Sequence, residues 1–171
     1  METRPPAPAY NRGMDAYVER MLGLLGDNDP ILVLEATPVR LEALTLGFTE
    51  DDWARTYGPG KWDARHIVAH LADVELGVGF RIRQTVAGVE TLQAFDENAW
   101  AEPYGRLDPA LALETFRALR AWNLSRYASF GLEEWLSESL HPERGPLSVD
   151  LSVRLSAGHD LNHLGQLERL L

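Results

Sequence analysis

Five histidines occur in the 171-residue chain, and four of them form two pairs with the same separation. His66 and His70 are four residues apart, and so are His159 and His163. Side chains four residues apart on a helix lie on one face, one turn apart, so both imidazoles of a pair can reach one ion. The spacing indicates a divalent-metal site, although hydrogen-bonded polar residues of a helical core would give the same pattern. The fifth histidine, His141, falls in a predicted loop and is expected at the surface.

Aliphatic neighbours place His70 and His163 beside the core rather than in solvent. A neutral imidazole buried in such surroundings needs partners for both of its ring nitrogens. A divalent ion supplies one partner, and a carboxylate or carbonyl oxygen supplies the other. Asp73, Glu75 and Asp160 are the nearby candidates for that oxygen.

The composition limits which chemistry is open to the chain. It contains no cysteine, which excludes disulfides, zinc fingers, iron–sulfur clusters and a catalytic thiolate. Metal chemistry must therefore use His, Asp and Glu, and any thiol must come from another molecule. The net charge of −10 argues against a nucleic-acid partner and against an anionic membrane surface.

The elements that must position the histidines are predicted to be five helical stretches. Aspartate–proline and glycine punctuation marks most of their ends. A proline at position 38, inside the second stretch, is expected to kink it. The predicted stretches are Tyr10 to Leu25, Pro30 to about Leu46, a long helix capped by Asp63 and ending before Gly88, Pro109 to Gly131, and Ser148 to the C-terminus.

The last stretch has two interpretations. Apolar and polar residues alternate over 147–155, which taken alone is a strand pattern. Beyond Ser156 the spacing of leucines becomes helical. A single helix with Ser148 as its N-cap is favoured, because nothing else in the chain offers a strand partner and a lone strand leaves its backbone unpaired.

The chain is predicted to be one domain. Residues 1–9, with three prolines and no apolar run, are expected to be a disordered lead-in to a single domain over residues 10–171. No window approaches the ~18 consecutive apolar residues of a membrane span. A cytoplasmic protein is expected.

Two segments that carry the histidines resemble one family. The segment from Trp62 to Glu75 and the segment from Gly158 to Leu167 are similar to signatures of the DinB-like (DinB/YfiT) superfamily. The resemblance implies an all-α fold, a DinB-like four-helix bundle of unusual connectivity with an extra short N-terminal helix and long loops. It also implies a divalent metal, most simply Zn²⁺ or Ni²⁺, and a homodimer.

The resemblance assigns roles to particular residues. Carried over position by position, the metal ligands are His70, His159 and His163. His66 stands where many relatives have a glutamate, and it is open whether it is a fourth ligand, an acid or base at the rim, or an exposed bystander. Glu75 is the nearest carboxylate for a general base, but a buried structural partner for an arginine at position 81 or 83 is an equal alternative.

Three neutral imidazoles and no thiolate describe an open site, which can activate a bound water or a bound thiol. The resulting expectation is a metal-dependent enzyme acting on a small molecule. It is either a hydrolase or a transferase using a low-molecular-weight thiol of the bacillithiol type, since family members are described as thiol transferases or mycothiol-assisted isomerases. Two alternatives remain: a non-catalytic metal- or ligand-binding stress protein, and a dimerising helical adaptor whose histidines are satisfied core residues.

Overall fold

Capping residues begin four of the long helices in the computed structural model, which describes residues 15–171. Each cap side chain accepts a hydrogen bond from a first-turn backbone amide. At two of these starts, a proline occupies the first helical position, where its missing N–H costs no hydrogen bond. The four caps, all predicted from the sequence, are Asp29, Asp63, Asp108 and Ser148.

The described residues form eight helices, one 3₁₀ turn and one hairpin. The predicted lead-in and the predicted helix start at Tyr10 lie outside them. The fourth predicted helix ends earlier than expected, and a separate short helix follows it. The elements are α1 (Ala16–Leu25), α2 (Pro30–Thr45), α3 (Glu50–Trp53), α4 (Ala64–Val86), α5 (Glu97–Ala101), the 3₁₀ turn (Tyr104–Arg106), α6 (Pro109–Tyr127), α7 (Leu132–Leu136), β1 (Glu138–His141), β2 (Gly145–Ser148) and α8 (Val149–Glu168).

Helices α2, α4, α6 and α8 form a four-helix bundle, which confirms the predicted fold class. α2 and α4 each pack against both α6 and α8. The chain therefore passes from α2 to the diagonally opposite α4, and later from α6 to the diagonally opposite α8. The short N-terminal helix α1 lies outside this ring and packs on α8.

Apolar side chains fill the bundle in two main clusters. One surrounds Ile67 and Phe116, and the other surrounds Ile82 and Val153. Burial of such side chains is the main stabilising term of a fold of this size. Within residues 15–171, none of the helices combines the length and the apolar character of a membrane-spanning segment.

Pro38 lies inside α2, and the helix continues through it. A proline lacks the N–H that would bond to the carbonyl four residues earlier, so the Leu34 carbonyl loses its helical partner. The Arg120 guanidinium of α6 donates to that carbonyl at 2.8 Å. The hydrogen bond that Pro38 removes from α2 is thereby replaced by one that joins α2 to α6.

A β-hairpin that was not predicted from the sequence precedes α8. β1 and β2 pair antiparallel, with Glu138 opposite Ser148 and His141 opposite Gly145. The expectation that no segment could pair with a strand near residue 147 was wrong, because Gly145 adopts a φ of 74° and turns the chain back on itself. The prediction of a helix capped by Ser148 was right, since the strand ends at that residue.

Gly158 allows α1 to lie directly against α8. A β-carbon at this position would overlap the backbone carbonyl of Met21 in α1. Gly158→Ala should therefore push the two helices apart and lower the free energy of unfolding by about 1–3 kcal/mol, measured by urea denaturation. Gly165→Ala is the matched control, because nothing lies within 4 Å of its added β-carbon and alanine favours a helix. Equal stability of the two variants would contradict this account.

Candidate metal centre

α4 and α8 bring three histidine rings together inside the bundle. His70 comes from α4, and His159 and His163 lie one turn apart on α8. The Nε2 atom of His159 lies 3.0 Å from Nε2 of His70 and 3.1 Å from Nε2 of His163. All three residues are buried. The structure thus assembles the three histidines that the sequence singled out, with possible ligand atoms within 4.8 Å of one another.

Burial holds the three rings in the neutral form. It lowers the pKa of His70 to about 3, with the neighbouring His163 as a smaller cause. It lowers the pKa of His163 to about 4, although the hydrogen bond to Gln166 opposes the shift. The pKa of His159 lies well below its ordinary value, through burial first and the two other histidines next. A neutral imidazole keeps a lone pair on one ring nitrogen, which is the metal-binding form.

Gln166 and Trp62 fix the orientation of the rings. His163 Nδ1 donates to Oε1 of Gln166 at 2.8 Å, which leaves the lone pair on Nε2, the atom that faces the other histidines. The Trp62 ring lies 4.8 Å from the His70 ring and is stacked 6.4 Å from the His163 ring. This tryptophan, two residues before the start of α4, packs against the cluster directly.

The donor set fits a divalent metal. A neutral imidazole has only one N–H and one lone pair, so three Nε2 atoms that face one another cannot all be satisfied by mutual hydrogen bonds. Nitrogen ligands at about 2.0–2.1 Å in a tetrahedral site stand about 3.3 Å apart, close to the observed separations. Within residues 15–171, the cluster contains no carboxylate or thiolate. Three imidazoles that leave a coordination position open are typical of catalytic zinc sites.

Acid should destabilise the metal-free protein between about pH 6.5 and 4. His70 and His163 titrate near 3 and 4 in the folded chain but near 6.5 when unfolded, so over this range only the unfolded state takes up these protons. The free energy of unfolding then falls as pH falls, by up to about 1.4 kcal/mol per pH unit for each histidine. Urea denaturation at pH 7, 6 and 5 measures the slope. His70→Gln should flatten it, and an unchanged slope in that variant would count against the account.

His66 does not join the cluster. Its ring Nδ1 lies 2.7 Å from Oδ1 of Asp63, the N-cap of α4, and the same oxygen accepts the His66 backbone N–H. The ring packs edge-on against Tyr104, with centroids 6.3 Å apart, and its side chain is 26% exposed. The structure therefore places His66 at the start of α4 and does not assemble it as a fourth ligand. An acid or base role at the rim stays a prediction.

Glu75 is buried in an ion network rather than directed at the histidines. Its Oε2 accepts from Nε and Nη2 of Arg120 at 3.0 and 2.8 Å, and its Oε1 accepts from Asn123 at 2.7 Å. Arg120 also donates to Oδ2 of Asp160 at 2.7 Å. Both oxygens of Glu75 thus have structural partners. Its role as a general base stays a prediction that no contact supports.

Arg120 was not predicted from the sequence as the partner of Glu75. The expected arginine partners of Glu75 bond elsewhere: Arg81 donates to the Gln93 carbonyl, and Arg83 donates to Asn123. The signal that could have identified Arg120 is its position. It lies four residues after the buried Phe116 on the inward face of α6, where a charge must have a buried partner.

The structure differs from two further expectations, the exposure of His141 and the partner of Asp73. His141, expected at the surface, is only 1% exposed, because the hairpin folds back over the bundle. Its Nδ1 accepts the backbone N–H of Glu143 at 3.2 Å. Asp73, a candidate partner for an outer ring nitrogen, instead accepts a hydrogen bond from the Tyr104 hydroxyl at 2.7 Å.

A cavity leads from the metal centre toward the hairpin. His159 lines it together with aliphatic residues of α4 and α8 and two arginines. Arg81 comes from α4, and Arg144 comes from the turn of the hairpin. Phe95, which stacks on Trp100 with ring centroids 4.4 Å apart, closes one side. A molecule in this cavity would lie beside one of the three histidines.

Known proteins share this arrangement of sequence and fold. Two proteins named "putative metal-dependent hydrolase" are similar to the chain. One, from Oceanobacillus iheyensis, is 30% identical over 141 residues, 79% of each chain. The other, YfiT from Bacillus subtilis, is 22% identical over 144 residues, 82% of this chain and 81% of that protein.

Solved structures show the same fold. YfiT, described as having an unusual four-helix bundle topology, superposes with a TM-score of 0.79 over 99% of this chain and 91% of its own, at 20% identity. The mycothiol-dependent maleylpyruvate isomerase superposes with a TM-score of 0.63 at 16% identity, over 90% of this chain and 63% of the isomerase. The sequence profile of the DinB superfamily matches residues 33–167, which include all three clustered histidines. The chain therefore belongs to the DinB superfamily.

Proposed function

We propose that the chain is a metal-dependent hydrolase of a small molecule and that His70, His159 and His163 hold Zn²⁺ or Ni²⁺. The observation that carries the proposal is the convergence of three Nε2 atoms, 3.0 and 3.1 Å apart, on buried rings. The names of the relatives as metal-dependent hydrolases support it.

The chain's own residues would prepare this site for chemistry. When bound, the ion would lower the pKa of a water or thiol in its open position and polarise a substrate carbonyl. Gln166 holds the His163 ring in the required tautomer, and Trp62 shields the rings from solvent on one side. The cavity beside His159 gives a small molecule a route to the histidine cluster.

A thiol-dependent transferase is the second candidate. The chain has no cysteine, so the sulfur nucleophile would be a low-molecular-weight thiol cosubstrate bound at the open position. The likeness in fold to a mycothiol-dependent enzyme favours keeping this candidate. A hydrolase needs only water, whereas a transferase turns over only when the thiol is supplied.

The test begins with elemental analysis of protein prepared without a chelator or a histidine tag. We expect about one divalent ion per chain, in keeping with one cluster of three ligands. The Zn²⁺- and Ni²⁺-loaded proteins are then assayed with a panel of small esters and amides, and separately with bacillithiol and an electrophile. Turnover of the first panel identifies a hydrolase, and turnover of the second only with bacillithiol identifies a transferase.

Three results would contradict the proposal. The protein could bind neither Zn²⁺ nor Ni²⁺, or its turnover could survive complete chelation. A protein whose melting temperature responds to chelation but which turns over neither panel would instead be a non-catalytic metal-binding protein. His66→Ala is the matched control for metal content, because this histidine lies on the same helix as His70 but outside the cluster.

The remaining expectations concern partners and location. A small-molecule substrate suits a site enclosed within one bundle, and the net charge of −10 disfavours nucleic acid. We expect a homodimer, as the family resemblance implies, and a cytoplasmic location. Light scattering that gives a single 19.1 kDa species across micromolar concentrations would contradict the dimer.

A further inference from the structure

We propose that the cavity beside His159 binds a small organic carboxylate, whose negative group is held by Arg81, Arg144 and His141. The inference rests on the proposed function, because it names the substrate class of that same site. The substrate would be an acid with an apolar body whose scissile bond lies at the His159 end.

The cavity consists of two connected spaces, an inner one with apolar walls and an outer one that is polar. The inner space reaches His159 and is walled by aliphatic side chains such as Val78 and Leu155. The outer space is a polar cleft that opens toward Glu143. Arg81 and Arg144 line both spaces, so the two guanidinium groups stand where the inner cavity meets the outer cleft. A ligand with an apolar body inside would place its charged end at these arginines.

The His141 ring faces more hydrogen-bond donors than it can accept from. The Glu143 backbone N–H is directed at Nδ1 of His141 at 3.2 Å, and Nη1 of Arg144 lies 3.1 Å from Nε2 of the same ring. A neutral imidazole has one lone pair, so it cannot accept from both donors. When Nδ1 accepts from the Glu143 N–H, Nε2 of His141 carries the ring hydrogen. This N–H then faces the N–H of Arg144, which is also a donor. An anion at this point would accept from both His141 and Arg144.

Arg144 has further unused hydrogen-bonding capacity. Its Nε is buried and has no hydrogen-bond partner within residues 15–171. The guanidinium lies over the Tyr17 ring, 4.5 Å from its centroid, which orients the planar fork. A carboxylate matches such a fork because two parallel N–H donors can bond its two oxygens.

Arg81 is held in place beside it. Its guanidinium lies 4.2 Å above the Phe95 ring and donates from Nε and Nη2 to the Gln93 carbonyl. Burial first and the positive charge of Arg144 next lower the pKa of Arg81, as expected for two cations facing one cavity, while Glu97 and Glu143 oppose part of the shift. An anion between the two would relieve this repulsion.

Three carboxylates lie near the arginines, and all three are exposed. Glu143 reaches Arg144 Nη1 only at 3.7 Å, and its side chain is 64% exposed. Glu97 lines both the inner cavity and the cleft, Asp96 lines the cleft, and both residues are exposed. Exposed ion pairs of this kind contribute little, so a buried carboxylate ligand can compete with them.

The test measures binding of hexanoate and of hexanamide, which has the same apolar body without the charge. Titrations followed by NMR are made on metal-free protein and repeated with Zn²⁺-loaded protein. We expect hexanoate to bind the metal-free protein at least about tenfold more tightly than hexanamide, because hydrogen bonds to a charged group are the stronger ones. Arg144→Gln and Arg81→Gln should each weaken hexanoate binding about tenfold.

Arg126→Gln is the matched control, since it removes the same charge from an exposed arginine on α6 that does not line the cavity. Thermal denaturation checks that each variant is folded, and Arg144→Lys tests whether charge alone restores part of the affinity. Equal binding of hexanoate and hexanamide would overturn the inference. So would hexanoate binding that requires Zn²⁺ and ignores both arginine variants, because the carboxylate would then bind the metal. The affinities for hexanoate and hexanamide are compared on metal-free protein, so the test of the carboxylate site does not depend on whether the protein binds Zn²⁺.

Discussion

His70→Ala is expected to lower the affinity for Zn²⁺ on the order of 1,000-fold, well beyond the 10–100-fold effects of residues that only orient ligands. His70 is the one ligand contributed by α4, whereas His159 and His163 share α8. Its loss leaves two imidazoles on a single helix, which cannot enclose the ion from both sides. Competition with a chromophoric chelator measures the affinity, and turnover should disappear with the metal.

The same variant should abolish metal-dependent stabilisation. A ligand that binds only the folded state stabilises it by about 2.7 kcal/mol at a concentration one hundred times its Kd. Wild-type protein and the His66→Ala control should therefore melt at a higher temperature when Zn²⁺ is added. His70→Ala should show no such rise at the same concentration. A variant that keeps both the ion and the thermal shift would show that the ion binds elsewhere.

Local rules explain why much of the fold could be predicted from the sequence. A helix start needs only a cap and a favourable first turn, so Asp29 with Pro30 and Asp108 with Pro109 mark α2 and α6 without knowledge of the rest of the chain. The pair formed by His159 and His163 is local in the same sense, because both residues lie on α8, one turn apart.

Features that depend on distant partners could not be predicted in this way. Glu75 meets Arg120 across 45 residues of sequence, and helical spacing on α4 does not say which helix faces it. The alternation near residue 147 fits both a strand and a helix, and the structure uses each in turn by placing Ser148 at the junction. His141 is buried only because the hairpin lies on the bundle, a tertiary contact with no local signature.

Arg120→Met should lower the free energy of unfolding by about 3–5 kcal/mol, the usual cost of removing one partner of a buried ion pair. Arg120 is 2% exposed and holds Glu75, Asp160 and the Leu34 carbonyl together. Without it, two buried carboxylates face each other with no cation between them. The carbonyl left unpaired by Pro38 also loses its only cross-helix donor within the described residues. Urea denaturation at pH 8 measures the loss.

The pH dependence of Arg120→Met distinguishes destabilisation by two uncompensated carboxylates from destabilisation by lost packing. Burial raises the pKa of Asp160, and the charge of Arg120 opposes that rise. In Arg120→Met the opposition is gone, so the folded variant holds a proton that the unfolded chain has already lost. This proton adds stability as pH falls from 8 to 5, on top of the acid effect of the histidines, which wild type shares. The gap to wild type should therefore narrow at pH 5. Arg126→Met, an exposed change on the same helix, should match wild type at both pH values. A constant gap would mean that lost packing, and not two uncompensated carboxylates, destabilises the bundle.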